Sequence, residues 1–238
     1  MWDKICLMLP TYGRTGLHLP RFVNSAEAMS SKICFSFCVN EKDTATLDYL
    51  KTREWKSEYE IILETLPTPH LAKYFNMMYN NSKWKTEDGV VISQLGDDME
   101  FKTPGWDSQI LQSINYYDGI GVFYANDDLW GREKCCINLF VTRKMVALTE
   151  YSFMHELFPA EMIDVVWHEV GRLTKTLHFF PDIHITHHHG SLNPDACFNR
   201  LQPFRKEAHI IGKAKAKEIG AKIAAGLLKK GILGNSLS

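Results

Sequence analysis

The chain has 238 residues, of which 45% are hydrophobic and 23% are charged, and its formal net charge is −1. This length is enough for one large domain with an appendage, and the near-neutral charge argues against a general nucleic-acid binder. The apolar stretch at residues 5–9 is too short for a signal peptide, and no run approaches the roughly 18 apolar residues of a membrane span. We therefore expect a soluble, cytoplasmic protein.

The six cysteines lie mainly within apolar runs, and no Cys-x-x-Cys pair is present. This pattern is typical of buried free thiols in a reducing compartment. It argues against a zinc site built from thiolates.

Short apolar runs alternate with amphipathic segments along the first half of the chain. The apolar runs predict strands at residues 4–10, 32–39, 59–66, 89–95 and 120–125. Apolar residues at helical spacing predict helices at residues 21–31, 71–83 and 106–117. This alternation favours an α/β fold with a mainly parallel, Rossmann-like sheet flanked by helices.

Two later segments depart from the alternation. Residues 159–177 predict a long amphipathic helix with an apolar side formed by Ile163, Val166, Trp167, Val170 and Leu173. Residues 205–230 predict a basic helix with eight Lys or Arg and two Glu, a net charge of +6, so the rest of the chain sums to −7. The helix either packs its apolar stripe on the domain with its lysines in water, or contacts a membrane surface or nucleic acid. We divide the chain into a domain of residues 1–200 and a basic C-terminal helical extension of residues 201–238.

Two adjacent acids, Asp97 and Asp98, follow the fourth predicted strand and Gly96. In an open α/β sheet, ligands bind beyond the carboxyl ends of the strands. Carboxylates suit Mg²⁺ or Mn²⁺, and such an ion keeps open positions for phosphate oxygens. The pair therefore predicts either a cation that holds a diphosphate or a solvated turn. A second pair, Asp127 and Asp128, ranks below the first because no apolar strand runs directly into a Gly-Asp-Asp turn there.

Four segments, in this order, resemble motifs of the GT-A glycosyltransferases, especially small family-2-like members from phages, viruses and bacteria. The resemblance covers roughly residues 4–190. The segments are LPTYGR at 9–14, LGDDMEFKTPGWD at 95–107, IDVVWHEVGR at 163–172 and DIHITHHHG at 182–190. The resemblance implies a GT-A fold and the transfer of a sugar from a nucleoside-diphosphate sugar, with Mn²⁺ or Mg²⁺ as cofactor.

The resemblance also implies roles for individual residues. Asp98 would ligate the metal, and Asp97 would contact the ribose or support the metal. Glu100 departs from the commoner motif and receives no role. The other residues expected to line the nucleotide-sugar pocket are Pro10, Thr11, Arg14, Glu41 or Asp43, Lys73 and Asn76.

An acceptor hydroxyl must lose a proton as it attacks the sugar, and a carboxylate within reach can accept that proton as general base. Asp164 matches the region of the family that carries the base, and Glu161 is the second choice. Because Asp164 begins a predicted helix, it is also a candidate N-cap. With Asp164 as base, the resemblance implies an inverting transfer.

Histidines crowd one late segment of the chain. If this segment is extended, His187 and His189 share one face. The resemblance implies a late histidine in the metal shell, and imidazole suits Mn²⁺ beside a carboxylate, so we expect His187 first and His189 second as metal ligands. The alternatives are a polar histidine-rich loop and a three-histidine zinc site.

Two aromatic positions have open interpretations. Trp106 is either a core residue or a platform for the acceptor, and Trp130 lies in a polar loop that would hold the sugar or the acceptor.

Other functional classes fit less well. Sugar-nucleotide pyrophosphorylases need a tight Gly-x-Gly loop and a following lysine after the first strand, and dehydrogenases need GxGxxG there; this chain has neither. A domain that has lost catalysis and only binds a nucleotide or a partner stays open, as does a phage-type enzyme that glycosylates DNA bases and uses the basic helix. UDP is the favoured donor nucleotide on family frequency, and the acceptor is a glycan, a lipid-linked molecule, a protein or DNA.

Overall fold

The computed structural model describes residues 1–87, 89–129, 135–188 and 196–231. For residues 196–198 and 200 it describes the backbone alone. Trp130 and His189, both named above, lie outside the described residues.

Strands and helices alternate over residues 4–94, as predicted. The strands are β1 Lys4–Thr11, β2 Ile33–Asn40, β3 Glu58–Glu64, β4 Val90–Gln94, β5 Met99–Phe101, β6 Val122–Asn126, β7 Leu139–Thr142 and β8 Leu177–His187. The α-helices are α1 His18–Met29, α2 Thr44–Thr52, α3 Leu71–Asn81, α4 Trp106–Tyr116, α5 Arg143–Thr149, α6 Ile163–Thr174 and α7 Ala196–Lys229. A short 3₁₀ helix spans Lys83–Thr86.

These strands form one mixed sheet with the order β3-β2-β1-β4-β7-β6-β8-β5. Strands β1 to β4 run parallel to one another. Strand β7 is antiparallel to both β4 and β6, β8 is parallel to β6, and β5 is antiparallel to β8. The expected α/β class with a Rossmann-like sheet flanked by helices is therefore confirmed.

The central strands are apolar on both faces because helices cover both sides of the sheet. One core layer packs α1 and α4 against the sheet, with Phe22 and Trp106 fully buried. The other packs α3, α5, α6 and α7 against the opposite face, with Phe75 and Trp167 at its centre. Trp106 is thus a core residue that stacks on Phe101, with ring centroids 4.5 Å apart.

The predicted helix at residues 159–177 is shorter at both ends. It begins at Ile163 after Met162, whose φ is 71°, and ends before Lys175, whose φ is 59°. Both residues have the left-handed backbone that interrupts a helix. The chain then enters β8, which runs through His187, so this part of the histidine segment is extended as expected.

Helix α7 is kinked at Gly212, where φ is 85°. Its second half buries Ala216, Ile219, Ile223 and Leu227 against the domain, while Lys215 and Lys222 pair with Glu218 at the surface. The apolar stripe therefore packs inward and these lysines face water. None of the helices in the described ranges has the length and apolar character needed to cross a bilayer.

Burial at one edge of the sheet predicts a loss of stability in acid. His178 stacks on Tyr117 and Phe123, with ring centroids 3.9 and 4.8 Å apart, and burial lowers the pKa of His178 from 6.5 to about 4. The folded state therefore favours the neutral ring. The contribution of the buried neutral ring to the free energy of unfolding is complete above pH 6.5 and is lost as the pH falls from 6.5 to 4. The pKa difference corresponds to about 3 kcal/mol, and the partial exposure of the ring reduces our expectation to about 2 kcal/mol.

We expect His178→Phe to keep the stacking and to remove this part of the pH dependence. Urea unfolding of both proteins at intervals from pH 7 to pH 4 measures the difference. Identical slopes of unfolding free energy against pH in the two proteins would contradict the assignment.

Candidate active site

The carboxyl ends of β1 and β4 open into a large cavity. Its volume is about 840 Å³, including the solvent at its mouth. It is bounded by the two strand ends, the turn after β4, helix α3, the loop before α6 and helix α7. Its lining includes Pro10, Arg14, Leu71, Gly96, Asp97, Asp98, Glu161, His187, Leu201 and Arg205.

The two acids of this cavity lie in a tight turn between β4 and β5. Gly96 is required there, because a Cβ atom at this position would lie 2.5 Å from Oδ1 of Asp98. Both carboxylates are almost entirely buried, with 3% of Asp97 and 8% of Asp98 exposed. The interpretation of the pair as a solvated turn is therefore wrong for this structure.

Asp97 is held by the end of β1. The Thr11 hydroxyl donates to Oδ2 of Asp97 at 2.6 Å, and the Arg14 guanidinium donates to Oδ1 at 2.5 Å. Burial raises the pKa of Asp97 to about 6, and the charge of Arg14 opposes this rise. Thr11 and Arg14 therefore fix the orientation of Asp97.

Asp98 lies between a cation and an imidazole. One carboxylate oxygen is 3.4 Å from Arg14 Nη1, and the other is 3.3 Å from His187 Nε2. Burial acts to raise the pKa of Asp98, but His187 and Arg14 outweigh it and hold the pKa well below its usual range. Of the two acids, Asp98 therefore has the lower pKa.

The pairing of β5 with β8 brings His187 to this position, since Met99 is in register with His187. An imidazole nitrogen and a carboxylate oxygen that converge in a cavity are a donor set that fits Mn²⁺. In the described part of the chain, no group of three His, Cys, Asp or Glu side chains is arranged around a metal position. Of the predicted metal ligands, Asp98 and His187 lie together in the cavity, and His189 falls outside the described residues.

Glu100 has a local role. Its carboxylate pairs with Lys102 at 2.6 Å and with His188 at 2.8 Å. The backbone N–H of His188 also donates to the carbonyl oxygen of Asp98 at 2.8 Å. These contacts tie the acidic turn to the end of β8.

A second, smaller cavity of about 380 Å³ shares Pro10, Leu71 and Leu201 with the first. Its buried acid is Glu64, at the end of β3, which accepts hydrogen bonds from Asn40 at 2.7 Å and from Tyr74 at 3.1 Å. Pro10 and Thr11 line this cavity as well. The two cavities are therefore neighbours at the strand ends.

Of the remaining predicted nucleotide residues, Asp43 is the most firmly held. It caps α2 by accepting from Thr46 N at 3.2 Å, and it also accepts from Gly13 N at 2.7 Å. Asp43 therefore shapes the loop that carries Arg14. Glu41 lies beside it and is exposed.

Lys73 and Asn76 lie on α3 and are absent from the described lining of both cavities. The amide of Asn76 donates to Met154 O at 2.9 Å and accepts from Met154 N at 2.7 Å. Asn76 thus ties α3 to the loop that leads to α6. The nucleotide-binding roles of Lys73 and Asn76 stay predictions.

The two candidate bases have different surroundings. Glu161 lines the large cavity, where it pairs with Arg205 and with His209. Asp164 lies in the first turn of α6, one residue inside its start, so it is not the N-cap. Its carboxylate accepts from the Cys135 thiol at 3.0 Å, and burial raises the pKa of Asp164. Asp164 is absent from the described lining of the cavity.

Sequence reasoning missed Leu201 and Arg205, which line the cavity from α7. No local signal identifies them, because the apolar stripe of this helix predicts packing on the domain but does not indicate which residues meet the cavity. The rival acid pair has local partners instead, since Asp128 binds His184 at 2.7 Å and Thr186 at 2.6 Å.

No protein-family model matches the chain, and no curated protein sequence matches it. Several solved structures are similar. S. aureus TarS superposes with a TM-score of 0.58 at 10% identity over 99% of this chain, and this chain spans only 44% of that protein. S. aureus TarS 1–349 in complex with UDP-GlcNAc superposes with a TM-score of 0.55 at 12% identity, over 94% of this chain and 71% of that one.

A third similar structure is the mannosyltransferase PcManGT from Pyrobaculum calidifontis in complex with GDP-Man and Mn²⁺. It superposes with a TM-score of 0.54 at 11% identity, over 98% of this chain and 80% of that one. These matches show that the chain has the GT-A glycosyltransferase fold. At this level of identity they show the fold and not the reaction.

The Arg14–Asp97 contact predicts a large and specific loss of stability. Arg14→Met leaves two buried carboxylates without their shared cation, and we expect it to lower the free energy of unfolding by about 3–5 kcal/mol. Combining it with Asp97→Leu removes one of the two carboxylates as well, so the double variant should recover part of that loss. Urea unfolding at pH 7 measures both effects.

Lys144→Met is the matched control. Lys144 pairs with Asp118 at 2.5 Å, but the two side chains are 43% and 81% exposed. We expect a cost below about 1 kcal/mol for this surface pair. An Arg14→Met cost as small as the control would show that the buried pair does not stabilise the fold.

Proposed function

We propose that the chain is a metal-dependent glycosyltransferase that moves a sugar from a nucleoside-diphosphate sugar to an acceptor hydroxyl. The observation that carries the proposal is the convergence of Asp98 and His187 in a cleft of a GT-A fold, with the carboxylate of Glu161 in the same cavity. Such a cleft supplies one carboxylate to bind a cation that holds the diphosphate and a second carboxylate to accept a proton.

We assign the diphosphate and the nucleoside of the donor to the two neighbouring cavities. A cation held by Asp98 and His187 would neutralise the charge of the departing diphosphate. Arg14 fixes both acids for this role. The nucleoside would occupy the smaller cavity, where Tyr74 and the end of β3 form the wall. UDP remains the favoured donor nucleotide on family frequency, and two of the similar structures carry UDP-GlcNAc and GDP-Man.

The transfer would be a single displacement with inversion. The acceptor oxygen bonds to the anomeric carbon while the bond from that carbon to the diphosphate oxygen breaks, and its electron pair leaves with the diphosphate. The acceptor's proton passes to a carboxylate. Glu161 is better supported than Asp164 as this base, because Glu161 lines the cavity whereas Asp164 hydrogen-bonds to Cys135.

Acceptor recognition has less support. Lys206, Lys213 and Lys217 are exposed along α7. These positive side chains would attract an anionic membrane or a nucleic acid. A contact of this helix with either surface, including a DNA acceptor, stays a prediction.

The metal assignment predicts nucleotide binding that requires both the ion and Asp98. UDP, GDP, dTDP and CDP are each added with and without Mn²⁺, and thermal unfolding is followed. One nucleotide at about 100 times its dissociation constant should stabilise the protein by about 2.7 kcal/mol, only when Mn²⁺ is present. Asp98→Asn should abolish the shift, and Gly96→Ala should weaken it because the new Cβ displaces the Asp98 carboxylate.

Gly226→Ala is the matched control, since a Cβ atom there has no heavy atom within 4 Å. It should leave the nucleotide-dependent shift unchanged. If no nucleotide shifts the wild-type protein, a binding-only module or an unrelated ligand becomes the better interpretation.

Replacing each candidate base by its isosteric amide tests which of the two residues accepts the proton. We expect Glu161→Gln to lower kcat for donor turnover by about 100-fold or more while the Mn²⁺-dependent nucleotide shift persists. Asp164→Asn keeps an acceptor for the Cys135 thiol and should stay within about tenfold of wild type. Turnover is followed as release of the nucleoside diphosphate. The reverse ranking would assign the base to Asp164.

A further inference from the structure

Helix α7 reaches the cleft because its second half is anchored elsewhere. The stripe from Ala216 to Leu227 packs on α6 and α5, and Gly220 lies against α6 so closely that an added Cβ would be 2.7 Å from the carbonyl oxygen of Val166. The kink at Gly212 turns the first half toward the cleft, where Leu201 and Arg205 line the wall. The helix is therefore a fixed part of the cavity.

Two side chains of this helix hold the carboxylate of Glu161. Arg205 Nε contacts Oε1, and His209 Nε2 contacts Oε2 at 2.6 Å. The Arg205 and Glu161 side chains are 20% and 27% exposed, whereas His209 is 62% exposed. Because solvent screens exposed charges more strongly, Arg205 is the partner with the greater influence on Glu161.

We propose that Arg205 is the positioning residue of the Glu161 carboxylate, so that the C-terminal helix takes part in catalysis through the base. This inference rests on the proposed function. The guanidinium holds the carboxylate in place at the cleft wall, and Glu161 then accepts the acceptor's proton as the new glycosidic bond forms. An ammonium group lacks the planar donor geometry of a guanidinium, so lysine should replace Arg205 only in part.

Because Arg205 itself lines the cavity, it has a competing role as a direct ligand of the donor's phosphates. The two roles differ in their coupling to Glu161. A residue that acts only through Glu161 loses its effect once Glu161 is gone, whereas a phosphate ligand keeps its effect. The two roles also differ in whether kcat or the donor KM changes.

The experiment is a double-mutant cycle on donor hydrolysis, with water as acceptor. Rates of nucleoside-diphosphate release are measured from UDP-GlcNAc and GDP-mannose with Mn²⁺ for wild type, Arg205→Gln, Glu161→Gln and the double variant. We expect Arg205→Gln to lower kcat about tenfold with the donor KM within twofold. In the Glu161→Gln background the same change should have less than a twofold effect.

Two further variants sharpen the test. Arg205→Lys should restore kcat part of the way, to within about threefold of wild type. Lys229→Gln, an exposed lysine at the far end of the same helix, should leave kcat and KM unchanged and so controls for altered helix charge. Urea unfolding of the four cycle proteins gives the coupling between Arg205 and Glu161 in stability, independently of turnover.

Three outcomes overturn the inference. A raised donor KM that persists in the Glu161→Gln background makes Arg205 a phosphate ligand. An unchanged kcat in Arg205→Gln makes the residue dispensable. If the wild-type protein releases no nucleotide from either donor, the proposed function falls and this inference falls with it, and a stability coupling that remains then marks a purely structural ion pair.

Discussion

The geometry of the cleft depends on one buried cation placed between two adjacent carboxylates. Asp97 and Asp98 would repel each other in a water-free turn, and desolvation alone would favour their neutral forms. Arg14 contacts both acids, so the turn after β4 tolerates two carboxyl groups that are almost fully buried. The same contact joins the loop after β1 to the loop after β4. The local arrangement that stabilises the fold is thus the arrangement that presents Asp98 to a ligand.

A second constraint comes from the far edge of the sheet. Strand β5 contains only Met99–Phe101, yet its pairing with β8 sets the position of His187 beside Asp98. Glu100 points into this junction and binds Lys102 and His188, which strengthens the connection. A short edge strand with charged partners is also a poor template for pairing with another chain. The pairing of β5 with β8 therefore positions His187 and also protects the sheet edge from pairing with another chain.

Local patterns were sufficient for the parts of the fold that depend on period and composition. The central strands, α3 and α4 follow from apolar runs and helical spacing, whereas the metal roles expected for Asp98 and His187 rest on the resemblance to the GT-A glycosyltransferases and stay predictions. The end of α6 did not follow, because the left-handed turn at Lys175 leaves no clear trace in composition. Strand β7 was also missed, since its four residues are too few to show a period. Long-range contacts such as Arg205 with Glu161 leave no local signal at all.

The basic helix α7 packs on a domain of opposite charge. Residues 205–230 carry a net charge of +6 and the rest of the chain carries −7, so the helix lies as a cationic element on an acidic domain. Attraction between them favours docking, but the helix is held mainly by its buried apolar stripe, since several of its lysines pair only with Glu218 or remain in water. Lys230 pairs with Glu150 at the domain surface, whereas Arg205 lies at the cleft wall beside Glu161. The helix therefore brings a positive charge to the wall of a cleft that is itself lined by Asp97, Asp98 and Glu161.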